Sequence, residues 1–230
     1  MSDEPPPDHL GHRKRLRQRF LAGGPTALAD YELLELLLSL AQPRGYVKPL
    51  AKALIREFGD FAAVIAAKPH ELQRVSGMGE ASIVALKAVE AAALLMQREV
   101  LLERPVIGSW KKLLEYCHSA MAHAKVEQFR LLFLDNRNAL IADEAQQTGT
   151  INHTPVYPRE VVKRALELHA SAIIMLHNHP SGDPTPSSDD VAMTREVAEI
   201  AGKLGITLHD HVVIGKRGHA SMRNLGLLKG

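Results

Sequence analysis

The sequence predicts an all-α domain over residues 1–100, followed by an α/β domain with α+β-like features over residues 106–230. Two observations support this fold class. Apolar residues recur at helical spacing in the first half, and short apolar runs typical of strands alternate with helical patterns after Arg104-Pro105. The chain, at 230 residues, is long enough for two modest domains. Residues 1–8, acidic and rich in proline, are predicted to form a disordered lead-in.

The composition is that of an ordinary globular protein, because 46% of the residues are hydrophobic and 23% are charged. No apolar run reaches the roughly 20 residues needed to span a bilayer, and the start of the chain does not resemble a signal peptide. Cys117 is the single cysteine, which excludes an internal disulfide and a cysteine-based zinc site. We therefore expect a cytoplasmic protein with no membrane partner.

The first half carries the pattern of several short helices. Tyr31 to Leu38 forms one apolar stripe, and Asp30 is placed to cap it. A second stripe follows over residues 50–58. Further helices are predicted over residues 61–67 and 81–97, and nothing in this half has the pattern of a strand.

Residues 72–87 resemble a helix-hairpin-helix, a motif in which two helices meet at a tight glycine turn. Gly77 and Gly79 allow the turn, amides at the start of the next helix can hold a phosphate, and Lys87 adds positive charge. The alternative is an ordinary helix-helix turn that touches no nucleic acid. Phosphate contacts carry no base information, so any predicted DNA binding is without sequence preference.

Basic side chains also crowd into one short stretch near the N-terminus. A cluster of this kind either meets a polyanion such as nucleic acid or forms a solvated helix face, and the sequence alone favours the solvated face. The members of this basic cluster are Arg13, Lys14, Arg15, Arg17 and Arg19.

The second half alternates helical and strand patterns, as expected for an α/β domain. A turn of four polar residues separates two strands, which predicts a hairpin, and Pro158 occupies the first position of a helix. That helix is predicted to bury Val161, Val162, Ala165 and Leu166. The predicted elements are a helix over 109–123, strands over 129–134 and from 139 to 142, the helix at 158, a buried strand over 172–176, a helix over 190–204 and a strand over 212–214.

The end of the buried strand predicts a metal site. Side chains alternate along a strand, so His177 and His179 project to the same side and can both reach a zinc ion. The proline-rich loop that follows can return the chain to the site, where Ser187 would cap the next helix and Asp190 would lie in its first turn. Two histidines and one carboxylate leave the fourth tetrahedral position for water, which is the pattern of a catalytic zinc site.

Two alternatives stand beside this prediction. Ser187-x-x-Asp190 before a helix is also a plain capping box. His209 and His211 form a rival pair at alternate positions, but no proline loop or downstream carboxylate accompanies them, which favours a supporting or packing role.

Residues 177–190 contain the pattern H-x-H-P and, further on, the pattern S-x-x-D; seven residues separate the second histidine from the serine. This combination resembles the JAMM motif of the JAB/MPN metalloprotease superfamily. The amino-acid sequence of this stretch is similar to that of one branch of the superfamily, the bacterial RadC family. Residues 158–160, 210–215 and 29–34 resemble the same branch, so the likeness covers nearly the whole chain. Tyr157 stands where we expect a histidine.

The resemblance implies a zinc-dependent hydrolase that cleaves peptide or isopeptide bonds, with one Zn²⁺ per chain and a protein or peptide as substrate. It also implies a glutamate upstream of the histidines as general base. Glu127 is the candidate, since it shares the strand parity of Phe129 and is expected to face inward; Glu144 is the alternative. By the same resemblance, Ser187 would stabilise the developing oxyanion.

A second hypothesis is a DNA-associated repair or recombination factor whose zinc domain acts on nucleic acid or is not catalytic. It rests on residues 72–87 and on the basic cluster. A third, a catalytically silent interaction module, is disfavoured by the intact set of predicted ligands. The sequence leaves the oligomeric state open, a dimer included.

Overall fold

A computed structural model describes residues 11–102, 106–148 and 156–228 of the chain. The described residues divide into two compact units, with the division between Ala92 and Ala93. The predicted lead-in lies outside the described residues, as does much of the predicted domain boundary. The elements are α1 (His12–Gly23), α2 (Asp30–Ala41), α3 (Lys48–Phe58), α4 (Phe61–Ala66), α5 (Pro69–Leu72), α6 (Glu80–Leu102), α7 (Trp110–Met121), β1 (Gln128–Leu134), β2 (Leu140–Thr148), α8 (Pro158–Glu167), β3 (Ala172–Asn178), α9 (Ser188–Lys203), β4 (Thr207–Gly215) and β5 (Gly218–Ser221).

All regular elements in the described residues of the N-terminal unit are helices, as predicted. Leu34 and Leu38 lie four positions apart on α2, and both are fully buried, because residues at this spacing share one helix face. They pack in one apolar core with residues from α3 to α6. The other fully buried leucines and valine of this core are Leu54, Val64, Leu72 and Leu86.

The predicted cap of α2 is wrong by one residue. Asp30 is the first helical residue, and Ala29 occupies the cap position. The backbone N–H of Ala29 donates to the Glu32 carboxylate at 3.0 Å, so a side chain from the first turn supplies the cap. The Asp30 carboxylate instead accepts a hydrogen bond of 3.4 Å from the N–H of Phe61, at the start of α4.

The C-terminal unit is built on a mixed five-stranded sheet with the order β2-β1-β3-β4-β5. The β1 strand pairs antiparallel with β2 and β3, β3 pairs parallel with β4, and β4 pairs antiparallel with β5. The central strand β3 is buried at every position. The mixed α/β fold therefore matches the predicted class.

Alternating side chains give the sheet two apolar faces. Phe129, Leu131 and Met175 contribute to a core that includes residues of α8 and α9. Leu132 and Leu176, one position along each strand, contribute to a second core that includes residues of α7. The sheet thus forms the middle of three layers. Among the described residues, no helix combines the length and apolar character needed to cross a bilayer.

Two predictions about this unit need correction. Leu166 is 50% exposed, because α8 buries Val161, Val162 and Ala165 and the next residue is rotated by about 100° around the helix. The strand β5 was not predicted, since its sequence Gly-His-Ala-Ser lacks an apolar run. The strands β2 and β4 are also longer than the apolar runs that predicted them.

Candidate metal centre

The three predicted ligands come together at the end of the central strand. His177 is the penultimate residue of β3 and is 1% exposed. His179 follows the strand, and its backbone N–H is held by the carbonyl of Ile214 at 3.0 Å. Ser187 caps α9, which places Asp190 in the first turn of that helix. The predicted path of the chain through this region is the one that the structure shows.

The donor atoms of these side chains face one another. The Nε2 atoms of His177 and His179 lie 2.9 Å apart. Oδ1 of Asp190 lies 3.4 Å from Nε2 of His177, and Oδ2 lies 3.6 Å from Nε2 of His179. One donor atom from each residue falls within 4.8 Å of the others. Two imidazole nitrogens and a carboxylate oxygen form a donor set that zinc accepts.

Asp190 belongs both to the capping box of α9 and to the candidate metal site. Its Oδ2 atom accepts hydrogen bonds from the N–H of Ser187 at 2.8 Å and from the Ser187 hydroxyl at 2.6 Å. The N–H of Asp190 donates in return to Oγ of Ser187 at 3.1 Å. Because the capping contacts use Oδ2, the other oxygen, Oδ1, is the one closest to His177. The cap thus orients the carboxylate.

Electrostatics at the site favour a charged Asp190 next to imidazole. Burial opposes ionisation of Asp190, but hydrogen bonds with His177 and His179 outweigh it and hold the pKa of this carboxyl well below its usual range. The hydrogen bond with Asp190 in turn raises the pKa of His179, although partial burial opposes the shift. Nδ1 of His179 lies 2.8 Å from the carbonyl of Asp183.

The rival histidine pair divides between two locations. His211 is fully buried beside the site, with its Nε2 atom 2.7 Å from Nδ1 of His177 and its Nδ1 atom 2.5 Å from Oγ1 of Thr194. Burial lowers the pKa of His211 well below its usual value. His209 instead contacts Oδ1 of Asn138 at 2.6 Å. His211 supports His177, as its position in the sequence had favoured, and His209 belongs to a different contact.

Glu127 lies next to this cluster. It immediately precedes β1, where Phe129 pairs with His177. Continuing this antiparallel register by two positions places Glu127 opposite His179. The charge of Glu127 is among those that raise the pKa of His179, which fits this placement. The side chain is partly buried, in agreement with its expected inward orientation.

Glu144, the alternative base, is engaged elsewhere. Its two carboxylate oxygens accept three hydrogen bonds of 2.6–3.1 Å from the guanidinium of Arg164 on α8. These hydrogen bonds lower the pKa of Glu144. A carboxylate held ionised by a neighbouring arginine is a poor proton acceptor, so the geometry favours Glu127.

The residues predicted to touch DNA occupy the α5–α6 turn and the following helix. Gly77 adopts a left-handed φ of 91°, as a tight turn requires, and its carbonyl accepts a hydrogen bond from Nε2 of Gln42 at 2.9 Å. The carbonyl of Gly79 accepts from the N–H groups of Ser82 and Ile83, which starts α6. The glycine turn has the predicted form, and DNA contact there stays a prediction.

Lys87 has a structural role that its sequence position did not indicate. Its ammonium donates to the carbonyls of Ile65 and Ala67 at 2.8 and 2.9 Å, and it also pairs with Glu90. These contacts hold the C-terminal end of α4 against α6. The charge of Lys87 is therefore used within the fold.

Part of the basic cluster is also used within the fold. The guanidinium of Arg13 donates to the carbonyls of Gln42, Pro43 and Gly45, and Arg19 pairs with Glu32 at 2.8 Å. Lys14 and Arg17 are exposed.

Two polar residues that no sequence motif singled out, Thr194 and Asn178, also lie at the site. Thr194 lies one helical turn after Asp190, and its hydroxyl donates to the Asp190 carbonyl at 2.6 Å. Asn178 lies between the two histidines and is 1% exposed. A polar residue in an otherwise apolar buried strand was the available signal for Asn178. No sequence signal pointed to Thr194, because its contact with His211 joins two segments that are distant in the sequence.

Comparison with known proteins agrees with this architecture. A family model described as "RadC-like JAB domain" matches residues 107–227, and one described as "UPF0758 N-terminal" matches residues 8–84. A UPF0758 protein of Rhodobacter capsulatus is 60% identical over 213 residues, which cover 93% of this chain and all of that protein. Another, from Ruegeria pomeroyi, is 56% identical over 217 residues, covering 94% and 97% of the two chains. The chain therefore belongs to the RadC family of UPF0758 proteins, with a helical N-terminal region and a C-terminal JAB domain.

Proposed function

We propose that this protein is a zinc-dependent hydrolase of the JAMM type that cleaves peptide or isopeptide bonds. The observation that carries the proposal is the convergence of His177, His179 and Asp190, with donor atoms within 4.8 Å of one another. Three protein ligands with an open fourth position are typical of catalytic zinc sites, whereas structural sites are usually closed by four protein ligands.

The donor set fits a divalent cation. The carbonyl of Asp183 can only accept a hydrogen bond, so in the neutral ring Nδ1 of His179 carries the proton and Nε2 presents a lone pair. In the neutral tautomer in which Nδ1 of His177 donates to His211, Nε2 of His177 does the same. Two lone pairs 2.9 Å apart repel each other, and a shared cation removes the repulsion. His177, His179 and Asp190 would hold this cation.

When bound, zinc supplies a Lewis acid that polarises a carbonyl and makes water ionisable near neutral pH. Glu127 lies beside His179, where its carboxylate can accept a proton from the attacking water and return it to the leaving amine. Asp190 and the two histidines orient the centre without exchanging protons. Glu127 therefore acts as the general base and then as the general acid.

Ser187 has one hydroxyl hydrogen, and that hydrogen bonds to Asp190. In this arrangement the serine fixes the direction of the carboxylate. The oxyanion contact that the resemblance implies requires the hydroxyl to turn away from Asp190. In Ser187→Ala, weaker zinc binding would report the orienting role, and a lower kcat at full zinc loading would report the oxyanion role; Ser187→Thr retains the hydroxyl and is the control.

The decisive experiment combines metal analysis with cleavage assays on three proteins. We expect the wild type to bind one zinc per chain and to cleave peptide or isopeptide substrates. Glu127→Gln should keep its zinc and lose about 10²–10⁴-fold in rate, the usual contribution of general acid–base catalysis. Asp190→Ala should lose the metal.

Specific outcomes would overturn the proposal. Unchanged zinc content in Asp190→Ala would contradict the assignment of Asp190 as a ligand. Full activity in Glu127→Gln would contradict the assignment of Glu127 as the general base. Parallel assays on single- and double-stranded DNA are included. Cleavage of DNA alone would replace the peptidase proposal with a nuclease.

A further inference from the structure

We infer that Asn178 is a positioning residue that fixes Glu127 at the metal centre; the inference rests on the proposed function and deepens it. Asn178 lies between the two histidines and is buried on the central strand, 1% exposed. Because side chains alternate along a strand, its amide projects to the face opposite His177. This placement makes it unsuitable as a ligand but brings it to the chain segment that leads into β1.

The Asn178 side chain bonds that segment at three points. Its Oδ1 atom accepts a hydrogen bond from the N–H of Gln128 at 2.9 Å. Its Nδ2 atom donates to the carbonyl of Val126 at 3.2 Å and to the carbonyl of Ala124 at 3.4 Å. The acceptor and the donor end of one amide are thus both engaged.

Two of these bonds, together called the clamp, lie on either side of Glu127: the bond from Asn178 to the Val126 carbonyl and the bond from the Gln128 N–H to Asn178. The carbonyl of Val126 belongs to the peptide group before Glu127, and the N–H of Gln128 belongs to the peptide group after it. Fixing both peptide groups fixes the direction in which the Glu127 side chain leaves the backbone. The segment lies ahead of the regular β1–β3 pairing, which begins with Phe129 and His177. The asparagine amide therefore supplies at this point the backbone contacts that a ladder would otherwise provide.

Asparagine is the residue type that this arrangement requires. An aspartate at position 178 would keep the acceptor for Gln128 but would bring a negative charge to two carbonyls. An alanine would leave a part-buried N–H and two carbonyls without this partner. A misplacement of about 1 Å at a catalytic group can cost about 10²-fold in rate, so a loosened Glu127 has a measurable effect.

The test uses Asn178→Ala in the full-length zinc-loaded protein. We expect one zinc per chain, exchange of the Gln128 amide hydrogen faster by about tenfold or more, and a kcat lower by about 10²-fold with little change in KM. Asn178→Asp serves if the alanine variant fails to fold, with an intact Gln128 contact and a smaller fall in kcat. Gln128→Ala is the matched control, since the clamp uses only its backbone amide.

Combining the substitution with Glu127→Gln separates positioning from general destabilisation. A residue that acts through Glu127 has no further effect once Glu127 is disabled, so the double variant should match Glu127→Gln alone. An additional fall of the same size, or loss of zinc in Asn178→Ala, would overturn the inference.

The inference can also be judged if the wild type cleaves no substrate, which would defeat the proposed function alone. In that case the positioning role of Asn178 is tested by two measurements, the hydrogen exchange of the Gln128 amide and the NMR chemical shift of the Glu127 carboxyl carbon. Both should change in Asn178→Ala, whereas in Gln128→Ala the backbone amide of residue 128 should keep its protection and the Glu127 shift should keep its wild-type value. Unchanged values in Asn178→Ala would reject the clamp.

Discussion

Nδ1 of His177 lies 2.7 Å from Nε2 of His211, and this contact begins a hydrogen-bonded chain with one direction. The chain ends at the backbone carbonyl of Asp190, which can only accept. Thr194 must therefore donate to that carbonyl and accept from Nδ1–H of His211. Nε2 of His211 is then free to accept from Nδ1–H of His177. The chain leaves a lone pair on Nε2 of His177, as a metal ligand requires.

Replacing His211 by alanine should therefore weaken zinc binding by about 10–100-fold, the usual effect of losing a hydrogen-bond partner of a ligating histidine. Competition with a chelator of known affinity measures the change. His209→Ala is the matched control, because His209 bonds Asn138 and not the site. Equal zinc affinity in His211→Ala and the wild type would show that the hydrogen-bonded chain does not set the ligand.

Glu144→Gln should leave zinc content and hydrolysis unchanged and should lower the unfolding temperature slightly at pH 7. The ion pair with Arg164 lowers the pKa of Glu144 in the folded protein, so its stabilisation is present above the unfolded value of about 4.3. This stabilisation is lost as the pH falls through the lowered pKa of Glu144 in the folded protein, and the two proteins should converge below that point. Thermal unfolding across pH checks this. A loss of hydrolysis in Glu144→Gln with retained zinc would return Glu144 to the role of base.

Gly215→Ala should destabilise the C-terminal domain by about 1–3 kcal/mol, the usual cost of overpacking. A Cβ atom at this position would lie 2.4 Å from the carbonyl oxygen of Gly182 and 2.9 Å from Cδ of Pro184. The loop between His179 and Ser187 would have to move. Chemical denaturation measures the loss, and zinc affinity should fall with it.

Gly202→Ala is the control for this substitution. A Cβ atom at Gly202 meets nothing within 4 Å, and alanine is favoured within a helix. We expect this variant to be as stable as the wild type or more stable. Equal stability of Gly215→Ala and Gly202→Ala would mean that the loop tolerates displacement.

Lys87→Met should destabilise the N-terminal unit by about 1–3 kcal/mol, because two carbonyls lose a charged donor. Charge reversal at Lys87 is therefore a poor test of DNA binding, since it disturbs the fold. Reversal at the exposed Lys14 and Arg17 tests the basic cluster instead, with salt-dependent DNA binding as the measurement. A fully stable Lys87→Met would contradict the structural role.

The arrangement of the three candidate ligands could be predicted from the sequence because the rules that place them are local. Strand alternation places His177 and His179 on one side, and a capping box four residues long places Asp190 in the first turn of α9. The contact of His211 with Thr194 joins β4 to α9, and no periodicity relates the two segments. The partners of Lys87 likewise depend on how α4 meets α6.

Edges and ends of elements were the other source of error. The strand β5 pairs with β4 through its backbone, so its polar sequence gave no apolar pattern. Leu166 follows three correctly placed core residues but lies beyond the buried arc of α8. Hydrophobic spacing predicts which face is buried more reliably than how far that face extends.

His177 and Asp190 are attached to parts of the fold that are expected to open at different free energies. The strand β3 is hydrogen-bonded on both sides, so separating His177 from its surroundings requires the sheet to come apart. Asp190 lies in the first turn of a helix, where local unfolding requires little free energy. An ion held by all three candidate ligands would escape by release of the carboxylate first, and the rate of that release would depend on the Ser187 cap.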